Sequence, residues 1–371
     1  MSNHIKQHAH RDRPIRIGID VFGGDHAPDA ILKGCVMALD ELPPGDQLVL
    51  FGRKAEIVEL LREKGIKESD PRLDLVDCDQ VIEMGESAAK SVRSKTESSI
   101  VKMHQYGAEG HPARCDGVVS AGNTGACVAA AMLHMRRIPG VIRPGITVTV
   151  PGFAGPVVLI DAGANPEPKA DHLWQYGIMA DVVAKNILGI EKPRIGLMNI
   201  GSEEGKGTGI IKETRDLLKG TPSLNFVGFV EGRDFFEGMA DVVITDGLVG
   251  NTLLKAIEGM AKSLFKAIAA EILSQNPKLA LDFEPIVKSI YAKNDYHEHG
   301  GAPLLGVNGA CFIAHGSSEA RTIRAAIRNC RNFVNAGVNE AIVSRLAEVG
   351  PAPEPAGPVI STPSSRETAG T

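Results

Sequence analysis

Six times along this chain a short apolar run ends in small or amide residues and passes straight into a helical pattern. The turns are residues 23–28 (GGDHAP), 120–125 (SAGNTG), 161–165 (DAGAN), 201–209 (GSEEGKGTG), 246–251 (DGLVGN) and 315–318 (HGSS). Strands that hand over to helices so often call for an α/β sheet with helices packed on it, and parallel pairing is the expected topology. In open sheets of this kind ligands bind beyond the carboxyl ends of the strands. The six turns are therefore candidates for lining one crevice.

The turn at 201–209 carries the charge. Residues 197–200 end an apolar strand, Gly201, Gly205, Gly207 and Gly209 surround Lys206, and the helical pattern IIKETRDLLKG follows. Backbone N–H groups and the positive end of a helix dipole then converge on one spot, a geometry that cradles phosphate. It is not a nucleotide P-loop, which needs G-x-x-x-x-G-K-[ST]. The spacing from Gly201 to Gly205 is too short, and Gly207 stands where a magnesium-binding hydroxyl belongs. The stretch is an anion site of another type or a plain βα turn. Around it the other turns supply Asn123, Thr124 and Gly125, then Asn165, then Asp246, Gly250 and Asn251. Gly24, Asp25 and His26 lie in the first turn and His315 in the last. Close helix–sheet packing also selects the small residues of 120–131, and a histidine in a glycine loop suits a loop hydrogen bond as well as substrate contact.

With 371 residues, 43 % of them hydrophobic, the chain can fill a large core. Its net charge of −5 argues against bulk nucleic-acid binding, which relies on clustered cations. Cys35, Cys78, Cys115, Cys127, Cys311 and Cys330 lie far apart without metal-like spacing, as expected of reduced thiols in a cytoplasmic protein. The polar first fifteen residues lack the apolar core of a signal peptide. The expected organisation is an extension over 1–14, one domain over 15–349 with a helical insertion at about 252–295, and a disordered Pro/Ser/Gly/Thr-rich tail over 350–371. Residues 126–135 are expected as a helix, and a long helical region that Ser317 and Ser318 are suited to cap runs to about 349. Arg136, Arg137 and Arg143 form a local basic cluster, either solvated or suited to an acidic protein partner. Leu253, Ile257, Met260, Leu264, Ile268 and Ile272 hold a helical stripe flanked by Lys255, Lys262 and Lys266. Such a stripe is core, dimer contact or membrane-surface face.

Competing chemistries lack their signatures. The first strand is not followed by G-x-G-x-x-G, and no G-x-S-x-G nucleophile elbow occurs. His111 and Asp116 match an H-x-x-x-x-D acyltransferase spacing, but Asp116 enters a strand and companion motifs are missing, so the match is read as coincidence.

The ordered motifs GIDVFGGDHAP, SAGNTGA, LIDAGAN, LMNIGSEEGKG, ITDGLVGNTLLKAIEG, HGGAPLLGVNG and AHGSS resemble those of the phosphate acyltransferase PlsX family of bacterial phospholipid synthesis, from about residue 16 to about 349. The resemblance implies a three-layer αβα fold with a mostly parallel sheet, like isopropylmalate dehydrogenases and phosphate acetyltransferases, with a helical insertion. It implies transfer of a long acyl chain from acyl carrier protein to inorganic phosphate, with the acyl phosphate passed to a glycerol-3-phosphate acyltransferase. It further implies a homodimer, peripheral association with the inner membrane face, no organic cofactor and no metal. Carried over by position, the family's loop lysine falls on Lys206 and the asparagine of its DG-x-x-GN turn on Asn251; the chemistry of the first turn adds His26 as an expected further donor. Gly24, Asp25, Asn123, Thr124, Gly125, Asn165, Gly201, Asp246, Gly250 and His315 are the expected substrate contacts, and Arg136, Arg137 and Arg143 the expected docking site for the acidic carrier. A non-catalytic sensor of the carrier or of a phosphorylated lipid precursor, and a short-chain acyl-coenzyme A enzyme, are the competing functions.

Overall fold

The strands bury side chains on both faces, which is why they read as unbroken apolar runs. Along β2 (Gln47–Gly52), Leu48 and Leu50 enter one apolar cluster while Val49 and Phe51 enter another, and Val119 and Val118 of β4 (Gly117–Ser120) divide in the same way. Each fully buried aliphatic of this kind contributes about 1.5–3 kcal/mol. The computed structural model describes residues 13–152, 154–275, 285 and 300–353. The expected extension up to residue 12, most of the expected insertion beyond residue 275 and the tail from 354 lie outside the described residues.

In chain order the elements are β1 (Arg16–Asp20), α1 (Asp29–Leu39), β2 (Gln47–Gly52), α2 (Lys54–Glu63), β3 (Leu73–Asp77), α3 (Ala88–Ser94), α4 (Ser99–Tyr106), β4 (Gly117–Ser120), α5 (Thr124–Ala130), β5 (Gly145–Val150) and β6 (Val157–Ile160). There follow α6 (Ala170–Asn186), β7 (Ile195–Met198), α7 (Gly209–Lys219), β8 (Phe226–Val230), β9 (Val242–Ile244), α8 (Gly247–Gln275), β10 (Ala302–Leu305), β11 (Ala310–Ile313), α9 (Ala320–Asn335) and α10 (Val338–Val349). Helices α1, α6, α9 and α10 cover one face of the sheet, and α4 and α5 cover part of the other. Farther along that second face, Leu253, Leu254 and Ile257 of α8 pack against the apolar cluster that contains Leu159 and Val243. This is the expected three-layer αβα arrangement.

The sheet has eleven strands in the order β3-β2-β1-β4-β11-β10-β5-β6-β9-β7-β8. Most neighbours are parallel, as expected, but β11–β10, β10–β5 and β5–β6 are antiparallel. Strand β10 falls in the HGGAPLLGVNG stretch, read in the sequence only as glycine chemistry. The three reversals make β6-β9-β7-β8 run opposite to β3-β2-β1-β4-β11. An average twist of about 20–25° per step accumulates to roughly 100–125° over the five steps from β4 to β9, so the two blocks' carboxyl ends diverge by roughly 55–80°. The six turns thus form two groups of three.

Two helices also differ from expectation. Residues 126–135 are divided between α5 and a π-helical turn, Ala131–Met135, which ends at Arg136 with φ of 65°. The region after 319 breaks at Gly337, whose φ of 60° is left-handed and opens α10. Glu319, not Ser317 or Ser318, is the residue preceding α9. All six cysteines are free and buried, and burial pushes Cys35 and Cys127 up to about 12. Among the described residues no helix is long and apolar enough to cross a membrane.

Candidate active site

The second group of turns follows β6, β9 and β7, which are adjacent and end in register: Ile160 and Leu197 both pair with Ile244. Neighbouring strands lie about 4.8 Å apart, so DAGAN, DGLVGN and the lysine turn stand side by side. Asp161 organises the first of them. Its buried Oδ1 accepts N–H bonds from Ile146 at 2.9 Å, Gly163 at 3.1 Å and Ala164 at 2.9 Å, and Oδ2 accepts from Asn165 at 2.6 Å. Burial holds this carboxyl above its ordinary value even though the four amides pull it down. With only donors facing it, it serves as the ionised acceptor.

Helix α8 starts directly on that turn. Gly247 donates to the Asn165 carbonyl at 2.8 Å, and Asp246 accepts from Val249 N–H at 2.8 Å. A Cβ on Gly250 would fall 2.0 Å from the Asp161 carbonyl oxygen. The glycines of D-G-x-x-G-N therefore allow backbone to rest on backbone, which brings the positive end of a long helix to the site. Asn251, the next residue, is exposed, and its side chain lies over Gly163.

The lysine turn is anchored at both ends. Asn199 donates to the Gly201 carbonyl at 3.0 Å, Arg215 donates to the Glu204 carbonyl at 2.7 Å, and Thr208 caps Ile211 N–H at 3.4 Å. Lys206 between them is exposed, and its ammonium has no hydrogen-bond or ion-pair partner among the described residues. It is a charge held on a fixed loop and left free.

The first group follows β1, β4 and β11, likewise adjacent. Asp25 N–H donates to the Gly316 carbonyl at 2.7 Å, which ties the first turn to the last. Gly24, beside it, lies within 3.2 Å of Ala121 at the point where a Cβ would sit. Thr124 and Gly125 are exposed at the start of α5, and His26 and Asp25 are exposed. His315 Nδ1 takes the Ser317 hydroxyl at 2.8 Å and the Ser317 N–H at 3.2 Å, which assigns its proton to Nε2.

Two asparagines expected as substrate contacts spend their side chains internally. Asn123 Nδ2 donates to the carbonyls of Glu83, Met84 and Glu86, and Oδ1 caps Ala126 N–H at 3.0 Å. Asn165 Nδ2 donates to Pro144 O at 2.6 Å and to the Tyr176 hydroxyl at 2.8 Å. Both therefore shape their turns, because an amide already bonded to protein has little left for a ligand. Asp20 and Asp161, which organise the two groups, were not among the residues singled out from the sequence. An aspartate at a strand end, two or three residues ahead of a glycine, in GIDVFGG and LIDAGAN, is the signal that marks them.

The arginine loop ends against the second group, since the Pro144 carbonyl that receives Asn165 directly follows Arg143. Arg136 and Arg143 are exposed, while the guanidinium of Arg137 is bonded to Ile142 O. The His111–Asp116 spacing proves accidental: His111 stacks on Tyr106 with centroids 4.1 Å apart, and Asp116 holds the Arg16 N–H at 2.9 Å.

The fold is that of phosphotransacylases. A phosphotransacetylase from Streptococcus pyogenes superimposes with a TM-score of 0.57 at 14 % identity, covering 88 % of this chain and 94 % of that one. A branched-chain phosphotransacylase from Enterococcus faecalis V583 superimposes with a TM-score of 0.52 at 15 % identity, covering 86 % and 99 %. Sequence carries the assignment further. The model of a family described as fatty acid synthesis protein matches residues 15–341. The phosphate acyltransferase of Dictyoglomus turgidum is 40 % identical over 90 % of this chain and 98 % of its own length, and that of Desulfitobacterium hafniense 42 % identical over 90 % and 98 %. The chain belongs to this phosphate acyltransferase family of fatty acid synthesis, the PlsX family.

Proposed function

We propose that the protein transfers a long-chain acyl group from the thioester of acyl carrier protein to inorganic phosphate, giving an acyl phosphate for a glycerol-3-phosphate acyltransferase. The observation that carries this reading is the adjacency, on strands ending in register, of the free Lys206 and the α8 amino end bearing Asn251. A phosphate oxygen attacks the thioester carbon, the carbon–sulfur bond breaks, and the thiolate leaves and takes up a proton. Phosphate is already ionised at neutral pH, so it needs positioning and desolvation more than a base. Lys206 and turn amides hold the phosphate. Asn251, or an amide of the 120–125 turn, polarises the carbonyl as its oxygen gains charge. His26 donates to phosphate or to the leaving thiolate. Since His26 belongs to the other group of turns, this role requires both groups to address one substrate.

Arg136, Arg137 and Arg143 are the proposed docking site for the acidic carrier, next to the second group. The outer part of α8 exposes Met260, Leu264, Ile268 and Leu273 in the single chain. This supports a homodimer contact, with peripheral attachment at the inner membrane face as the competing use. Incubating the pure protein with acyl carrier protein thioester and phosphate, then trapping acyl phosphate with hydroxylamine, tests the reading. Failure to form acyl hydroxamate favours a non-catalytic sensor, and turnover with short-chain acyl-coenzyme A in place of the carrier favours the short-chain enzyme.

A further inference from the structure

The carboxyl of Asp20, at the end of β1, lies beneath the first group of turns and is 1 % exposed. Its Oδ2 accepts the Ser120 hydroxyl at 2.7 Å, and Ser120 Oγ in turn accepts the Gly122 N–H at 3.0 Å. The turns rest directly on this carboxyl. A Cβ on Gly23 would fall 2.3 Å from Oδ2, and one on Gly122 would fall 3.1 Å from the same oxygen. Three buried oxygens at this end, Asp20 Oδ1, Ser99 Oγ and Ser318 Oγ, lack a well-formed hydrogen bond among the described residues, although the Ser99 hydroxyl lies near enough to pull the Asp20 carboxyl down.

No cation is paired with Asp20 among the described residues. Among the described residues, the thiols of Cys78, beyond β3, and Cys127, on α5, feel its charge, and both are pushed up to about 12 by burial and so neutral. An unpaired carboxylate at this depth is strongly disfavoured, whereas the neutral acid is not. Burial pushes the Asp20 carboxyl up, and this outweighs the opposing pull of Ser99, Ser120 and the Phe22 N–H. An ionised Asp20 would also repel any anion received by the turns above it.

We infer that Asp20 is the positioning residue of the first turn group: as a neutral acid it holds Ser120, and through it the Gly122–Gly125 backbone, in the shape that receives a substrate oxyanion. The proton sits on Oδ1, the oxygen without a well-formed hydrogen bond, which leaves Oδ2 to accept from Ser120. The inference rests on the acyl-transfer reading for its substrate, since the oxyanion is either phosphate or the thioester oxygen as it gains charge.

The test compares the full-length wild type with Asp20→Asn, Asp20→Ala and Ser120→Ala. Hydroxylamine-trapped turnover is measured across neutral and alkaline pH, alongside thermal melts and the infrared carboxylic-acid stretch. The amide introduced by Asp20→Asn copies the shape of the neutral acid. That variant is expected to keep wild-type kinetics near pH 6 and to lack the loss that the wild type shows as Asp20 ionises. The titration of phosphate itself cancels in the ratio of the two proteins. Asp20→Ala and Ser120→Ala are expected to melt cooperatively and to lose about a hundredfold, the scale of an ångström-sized misplacement. A rise in KM for phosphate identifies phosphate as the oxyanion, and a fall in kcat alone identifies the thioester oxygen. The wild type should show an acid stretch at neutral pH that Asp20→Asn lacks. Folded Asp20→Ala and Ser120→Ala enzymes with unchanged kinetics would overturn the positioning role. Absence of the acid stretch, or Asp20→Asn as damaged as Asp20→Ala at every pH, would overturn the neutral acid. A wild type that forms no acyl phosphate defeats the acyl-transfer reading instead, and the infrared band still decides the protonation state.

Discussion

Replacing Gly250 by alanine puts a methyl group at the point where α8 rests on the DAGAN turn. The added carbon would lie 2.0 Å from the Asp161 carbonyl oxygen and 3.0 Å from Thr245 Cγ2, whereas a carbon and a carbonyl oxygen settle at about 3.3 Å. The Asp161 turn has little room to yield, because its carboxylate already holds four backbone amides. The start of α8 must therefore move by about 1 Å, at an overpacking cost of about 1–3 kcal/mol. Asn251 moves with it. A displacement of that size in a positioned group costs about a hundredfold in turnover. Gly259→Ala is the matched control, since nothing lies within 4 Å of its would-be Cβ. It should stabilise α8 by about 1 kcal/mol through helix propensity and leave turnover unchanged. Urea unfolding and hydroxylamine-trapped product formation read both effects. A Gly250→Ala protein with wild-type stability and rate would refute the placement of α8 as the element that positions the site.

Lys206→Ala should fold normally, since the exposed side chain has no partner to lose among the described residues, while product formation falls roughly a hundredfold to a thousandfold. Near-normal turnover would remove this lysine from the mechanism. Reversing the charge of Arg136, Arg137 and Arg143 should raise KM for the carrier protein at low salt, less so at high salt. An unchanged KM sinks the docking role. Glu86 is held at about 2, against an ordinary 4.5, by Lys95, Ser91 and the Glu83 amide. Its folded-state pKa is depressed, so its stabilisation is present above pH 4.5 and is lost as pH falls toward about 2. The melting-temperature gap between wild type and Glu86→Gln should close over that window, and a gap that stays constant contradicts the assigned partners.

Local order was legible in the residues because it rests on local rules. Apolar runs buried on both faces, a proline at the start of α1 and the small residues after each strand are set by backbone geometry and short-range packing. The turns therefore fall where the sequence puts them, and so do Lys206 and Asn251. Strand direction was not legible. Residues 302–305 are a short run between glycines and begin with Ala-Pro, yet they form the antiparallel strand that, with β5 and β6, reverses the second half of the sheet. Pairing partners distant in the chain decide that reversal, and no local pattern records them.

The roles of the polar residues divide in the same way. Asn123 and Asn165 have the right chemistry for ligands, but carbonyls from distant segments take up their amides. Asp20 and Asp161 are marked in the chain only as aspartates at strand ends, and burial under glycine turns makes them the organisers of the two groups. The sequence by itself determined the fold class, the family and where the turns lie, because these follow from residue pattern and backbone preference. Only the tertiary structure decided which turns stand together, which amides are free and which carboxyls are buried, because those depend on what packs against each residue from elsewhere in the chain.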